Sequence, residues 1–291
     1  METILFLLNV VFLVFIVSTM LSVGLGTTVP HLVKVLNDVR WLGGALVASL
    51  IAVPLIGWGL AEVFPLEGPS YIALILVASS PGAPFAVALA TMQRGDVLPV
   101  AATMAILAVI GSITTALTVS LILGAGDVAE AEGGAIDIGE LLLSIVVLQI
   151  VPFLVGMAVR AWVPATADGW ASPAKRVSTI TFGLVLAGVV IVGIPAVIDL
   201  IGSWIIPAAL VAALAWIAAG ALLAPSPRSR RVGAGLLASS RNAGPVLLIA
   251  SVAFADVEGV IPAIIAVYLV LLVTGALVAA WFGKQPVAAD T

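Results

Sequence analysis

Apolar runs, each long enough for a helix to cross a bilayer, follow one another down the chain at about Ile4–Gly26, Val39–Leu60, Tyr71–Met92, Val97–Leu123, Ile138–Val159, Val177–Val197, Ile201–Leu223, Val232–Phe254 and Gly259–Phe282. Inside hydrocarbon a backbone has no water to bond, so runs of this length must be helices. Hydrophobic residues make up 63% of the chain and charged residues 9%. Mean hydropathy is +1.31, more apolar surface than a soluble core conceals. The expectation is an all-α polytopic membrane protein with nine transmembrane helices, forming one transmembrane domain over residues 1–291. No small-residue cleavage site follows the first run, which reads as a retained span and not a signal peptide.

Lys34, Arg40, Arg94, Arg160, Lys175, Arg176, Arg228, Arg230, Arg231 and Lys284 all fall in or beside connections on one side of the expected layout. The acidic residues Glu62, Glu67, Asp127, Glu130, Glu132, Asp137, Glu140, Asp199, Asp256 and Glu258 fall on the other. Basic connections stay cytoplasmic. The sequence therefore predicts a protein of the cell membrane with its N-terminus outside and its C-terminus in the cytoplasm. The stretch Thr28–Asp38 is too short and polar to span. It reads as a solvated connector carrying His31 and Lys34, with an interfacial helix as the alternative.

Ala78-Ser79-Ser80 in the third run recurs as Ala238-Ser239-Ser240 in the eighth, and Asp96-Val97 recurs as Asp256-Val257 at the same offset. By the charge pattern the two segments enter the membrane from opposite sides. That is the signature of inverted-topology repeats, placed here at about 1–124 and 138–283. Pro81, Gly82 and Pro84 interrupt the first copy; Gly244 and Pro245 interrupt the second. Proline removes an N–H and glycine tolerates unwound backbone, so both helices are expected to break and cross at mid-membrane. Backbone groups freed there must meet protein or line a cavity.

Arg241 stands in the second break. It is the one cation in the chain that no connection accounts for. An arginine at this depth costs roughly 2.5–3.5 kcal/mol even on lenient scales, which marks the position as functional by default. All fifteen carboxylates map to tails, connections or span edges. An anionic substrate is the expected partner, held by the guanidinium fork. The candidate substrate-binding set is Arg241, Asn242, Ser239, Ser240, Ser79, Ser80, Pro81, Gly82, Pro84 and Gln149. Asp96 and Asp256 read as helix N-caps, with proton coupling as the functional alternative. Thr103, Ser112, Thr114, Thr115 and Thr118 read as hydroxyls bonded back to their own helices. The seven tryptophans mostly sit near span ends, as interfacial anchors do.

At these positions the chain resembles the bile acid:sodium symporter family. Pro81-Gly82-Ala83-Pro84-Phe85-Ala86-Val87, followed by Gly95-Asp96, is similar to that family's Pro-Gly-Gly-x-x-Ser-Asn motif and the Gly-Asp after it. Leu237-Ala238-Ser239-Ser240-Arg241-Asn242 aligns with its Glu-x-Gly-x-Gln-Asn, and Gly24–Val29 looks like its second helix. On this alignment the family's usual first helix is missing. The resemblance implies an anion transporter with two crossing broken helices; no cofactor is expected. It also implies sodium ligands at positions that here read Ala86, Val87, Leu237 and Arg241. Ala, Val and Leu side chains supply no oxygen, and arginine only donates.

The expectation is a secondary transporter moving a small organic anion by alternating access. It is sodium-independent, with Arg241 standing in for bound sodium. Any coupling ion is expected to be a proton in preference to sodium. A sodium-coupled symporter of the same family, or an anion-binding channel or sensor, is the alternative. The expected partners are the lipid bilayer and the anion, with no nucleic acid and no metal. The chain has no cysteine and a single histidine, which excludes thiol chemistry, a cysteine-dependent arsenite carrier and a histidine-rich metal centre. No HExxH, GxSxG or paired intramembrane carboxylate points to an enzyme.

Overall fold

The computed structural model describes residues 2–124, 146–224, 227–254 and 256–285. Those residues form helices α1 (Glu2–Gly26), α2 (Val29–Leu36), α3 (Val39–Val63), α4 (Gly68–Ser79), α5 (Phe85–Met92) and α6 (Val97–Gly124). After them come α7 (Val151–Trp162), α8 (Pro164–Asp199), α9 (Ile205–Leu223), α10 (Arg228–Ser239), α11 (Ala243–Ala253) and α12 (Val260–Gly283). Among the described residues the only extended pairing is an antiparallel bridge between Pro81 and Arg241. The start of the expected fifth span lies outside the described residues, as do Asp127, Glu130, Glu132, Asp137 and Glu140.

Among the described residues, three helices are individually long and apolar enough to cross a bilayer: Val39–Val63, Ile205–Leu223 and Val260–Lys284. The bent pair Val10–Gly26 and α2 passes the same test jointly, with a 100° bend between its halves. The expected third and eighth spans are each two helices, α4 with α5 and α10 with α11, because proline and glycine stop the first helix of each pair. The expected sixth span begins much earlier than Val177. Pro164 starts α8 within a polar stretch, and Arg160 and Asp168 form an ion pair at 2.7 Å beside that first turn. Proline suits a helix start, where its missing N–H has no partner to lose.

The helices pack as two groups. In the first, α1 lies against α7 and α8. Its contact with α7 is backbone to backbone: a Cβ on Gly24 would sit 2.1 Å from the Phe153 carbonyl oxygen, and one on Gly156 would sit 2.6 Å from that of Leu21. Small residues are what let membrane helices approach this closely. In the second group α4 is surrounded by α3, α6, α9 and α12, while α10 packs along α9. Leu74, Ile75, Leu76 and Trp216 are fully buried at its centre.

Contacts between connections gather basic residues at one end. Arg230 bonds Asp38 at 2.8 Å and approaches Asp96 at 3.7 Å; the Gln93 side chain donates to the Ser229 carbonyl at 2.8 Å; Arg228 lies over the Phe282 ring. At the opposite end Tyr71 and Trp58 donate to Glu62, and Phe64 meets Trp204.

Candidate functional site: a buried cation at a helix crossing

The broken helices meet where α4 and α10 end. The main chain between α4 and α5 runs antiparallel to that between α10 and α11. Asn242 N donates to the Ser80 carbonyl at 2.7 Å, and Ser80 Oγ donates to the Asn242 carbonyl at 2.8 Å. Gly82 makes the crossing sterically feasible. Its φ is +88°, and a Cβ there would stand 2.4 Å from the Ala108 nitrogen on α6.

A helix end leaves carbonyls without intrahelical donors, and in hydrocarbon each must find another. Thr115 Oγ1 on α6 donates to the Ser79 carbonyl at 3.1 Å and to Gly111 in its own helix at 2.5 Å. Arg241 takes most of the rest. Its Nε donates to Val77 O (3.3 Å), Nη2 to Ala78 O (2.6 Å) and Nη1 to Ala238 O (3.1 Å). The fourth acceptor is Ser49 O, 3.2 Å from Nη2. That carbonyl is free for a readable reason. Residues Ala48–Ala52 form a π turn, in which Val53 N bonds back five residues to Ala48 O. In that register the next donor would be Pro54, which has no N–H.

Arg241 is only 2% exposed, yet its partners among the described residues are carbonyls and not carboxylates. Its charge lies where α4 and α10 both direct their C-terminal ends. Each such end carries about −0.5 elementary charge, so the pair balances one guanidinium without an acid. Trp216 of α9 adds a ring face 5.9 Å from Cζ. Trp216 and Trp41 are fully buried, unlike the exposed Trp58, Trp162, Trp170, Trp204 and Trp281 that fit the anchor expectation.

The structure brings Arg241, Asn242, Ser239, Ser240, Ser79, Ser80, Pro81, Gly82 and Pro84 together, and Ser79, Ser80, Ser239, Ser240 and Asn242 are all buried. Asn242 Oδ1 caps α11 through Gly244 N at 3.2 Å. Ser239 and Ser240 return their hydroxyls to Leu236 O at 3.1 and 2.7 Å. Ser79 Oγ, Ser49 Oγ and Asn242 Nδ2 are buried without a hydrogen-bond partner among the described residues. Gln149 occupies the π turn Val146–Ile150 before α7, which packs on α1 and α6. Asp96 and Asp256 are not brought together. Asp96 is half exposed beside Arg230 at the basic end; Asp256 is exposed in the turn between α11 and α12 at the other.

A cavity of about 390 Å³ opens between the two helix groups, walled by α1 and α8 on one side and α5 and α6 on the other. Its polar lining includes Thr19, Ser22, Thr27, Thr91, Ser178 and Lys175. Thr19 and Ser178 join their hydroxyls across α1 and α8 at 2.7 Å. Among the described residues, Lys175 is the one charged residue in the lining, which includes no carboxylate. Deeper along the same helices Phe15, Phe85 and Phe182 close together, with centroids 5.3 to 5.9 Å apart. In the sequence Lys175 falls in a connection between expected spans, so its position alone does not mark it as part of a cavity wall. The signal was present in Lys175, Ser178, Thr179 and Phe182, spaced along one face of α8.

The profile of the sodium bile acid symporter family matches residues 12–204, which include the α4–α5 break and stop short of α10. No curated protein matched the chain. With two thirds of its length matched and the crossing of broken helices in place, the chain belongs to the sodium bile acid symporter family.

Proposed function

We propose that this protein is a secondary transporter for a small organic anion, and that Arg241 does permanently what a bound sodium ion does in sodium-coupled relatives. The observation that carries this reading is the set of four main-chain carbonyls converging on one buried guanidinium. Carbonyl oxygens suit a hard cation. Here the cation is covalent, always protonated and unable to leave. The positions that would complete sodium shells, Ala86, Val87 and Leu237, are buried hydrocarbon.

The substrate occupies the cavity between the helix groups. Arg241 has turned its donors to the backbone, so the anionic end of the substrate meets Lys175 near the opening. Five of the lining hydroxyls pair with the protein: Thr27 with Val23 O, Thr91 with Val87 O, Thr179 with Lys175 O, and Thr19 with Ser178. Oxygen lone pairs remain for donors on the substrate. A cavity of 390 Å³ lies at the small end of the roughly 300–1,000 Å³ typical of ligand sites. The Phe15, Phe85 and Phe182 cluster is the closed gate of an inward-open state, given the cytoplasmic placement of the basic end. Alternating access then consists of the α1–α7–α8 group moving against the rest. The inverted relation of the two broken helices supplies the symmetry for the outward state.

The test is counterflow in proteoliposomes. Organic anions selected by thermal stabilisation of the purified protein are assayed with sodium replaced by choline on both sides. Exchange of labelled anion that persists without sodium supports the reading. Exchange that stops without sodium refutes the fixed-cation role. Binding without exchange favours a channel or sensor.

A further inference from the structure

The short helix α2 divides into three faces. Val35 is buried and Leu32 packs partly against the core, and this side rests on α6. His31 and Lys34 form an exposed polar side. Between these two lies an exposed apolar edge: Val29 is 55% exposed, Val33 47% and Leu36 38%. At 100° per residue these three share an arc of about 60°. The helix leaves α1 at a 100° bend, so it runs across the axis of a spanning helix.

Exposed apolar residues follow α2 in the chain. Val39, Val47, Ile51, Leu55 and Trp58 are exposed along α3, which is long and apolar enough to span the bilayer. We propose that α2 is an in-plane lipid-binding helix. Val29, Val33 and Leu36 insert at the boundary of the acyl chains, and Lys34 meets the phosphates of anionic lipids. Attachment of α2 to α3, whose length and exposed apolar residues fit a bilayer span, selects lipid over a protein partner. A helix with a packed face, an apolar face and a basic face fits the plane of the interface, about 5–10 Å into the headgroup region. A lysine held near an anionic leaflet contributes attraction that falls off within a Debye length. The helix joins α1 of one group to α3 of the other, so lipid holds the connection between the two.

The absence of cysteine makes the test direct. Val33→Cys and Lys34→Cys, each carrying an environment-sensitive nitrobenzoxadiazole label, are reconstituted as full chains. The vesicles are phosphatidylcholine alone or mixed with phosphatidylglycerol. The label at 33 is expected to be quenched at least twofold more by spin-labelled lipid than the label at 34. Neutral acrylamide in the water should quench in the reverse order. Phosphatidylglycerol should further shield the label at 33, and Lys34→Gln in the Val33→Cys background should remove that increment. Equal acrylamide quenching at 33 and 34 would overturn the in-plane placement. Shielding indifferent to phosphatidylglycerol would overturn the headgroup pairing.

Discussion

Arg241 shows how a buried charge is stabilised in this membrane protein by main-chain carbonyls, with no carboxylate partner among the described residues. Its donors meet carbonyls that two helix ends and one π turn leave unpaired, so guanidinium and backbone satisfy each other. Removing it leaves several buried acceptors bare, at about 1–3 kcal/mol each. Arg241→Met is therefore expected to lose at least about 3 kcal/mol of stability. Arg241→Lys, which keeps the charge but not the fork, should fall between it and the wild type in thermal unfolding. Gly82→Ala is expected to prevent folding, because φ of +88° and the Ala108 nitrogen both exclude a methyl group. Lys175→Gln is a contrasting case. Lys175 is exposed at the cavity mouth, so unfolding temperature should stay constant while KM for the anion rises several-fold.

At the scale of elements, proline and glycine place the breaks and therefore the site. Both interruptions were legible in the sequence because Pro81-Gly82-Ala83-Pro84 and Gly244-Pro245 cannot continue a helix. The π turn of α3 was not legible. Pro54 alone does not reveal that Ser49 O will face an arginine almost two hundred residues away. If that carbonyl is free because Pro54 lacks an N–H, Pro54→Ala supplies a competing local donor. Pro54→Ala should then reduce the destabilisation caused by Arg241→Met by about 1 kcal/mol in a double-mutant cycle. Additive effects would show that Pro54 does not create the acceptor. The cavity was missed for a related reason. Its hydroxyls and Lys175 belong to α1 and α8, and only the packing of α8 along α1 turns two weak patterns into one wall.

For the molecule as a whole, the fold reads as two helix groups with a cavity between them that Lys175 lines, and a fixed charge at the crossing behind it. The all-helical membrane character and the family were readable from apolar runs and motif spacing. The partner of Arg241 was not, because main-chain carbonyls leave no trace in side-chain identity. The central claim is that the crossing needs no sodium. It is tested most directly by thermal unfolding of the purified protein in sodium chloride against choline chloride at equal ionic strength. A site binding sodium at one hundredth of the applied concentration would add about 2.7 kcal/mol of stability. The fixed-cation account predicts the same unfolding temperature in both salts; a saturable, sodium-specific rise in the wild-type protein would contradict it.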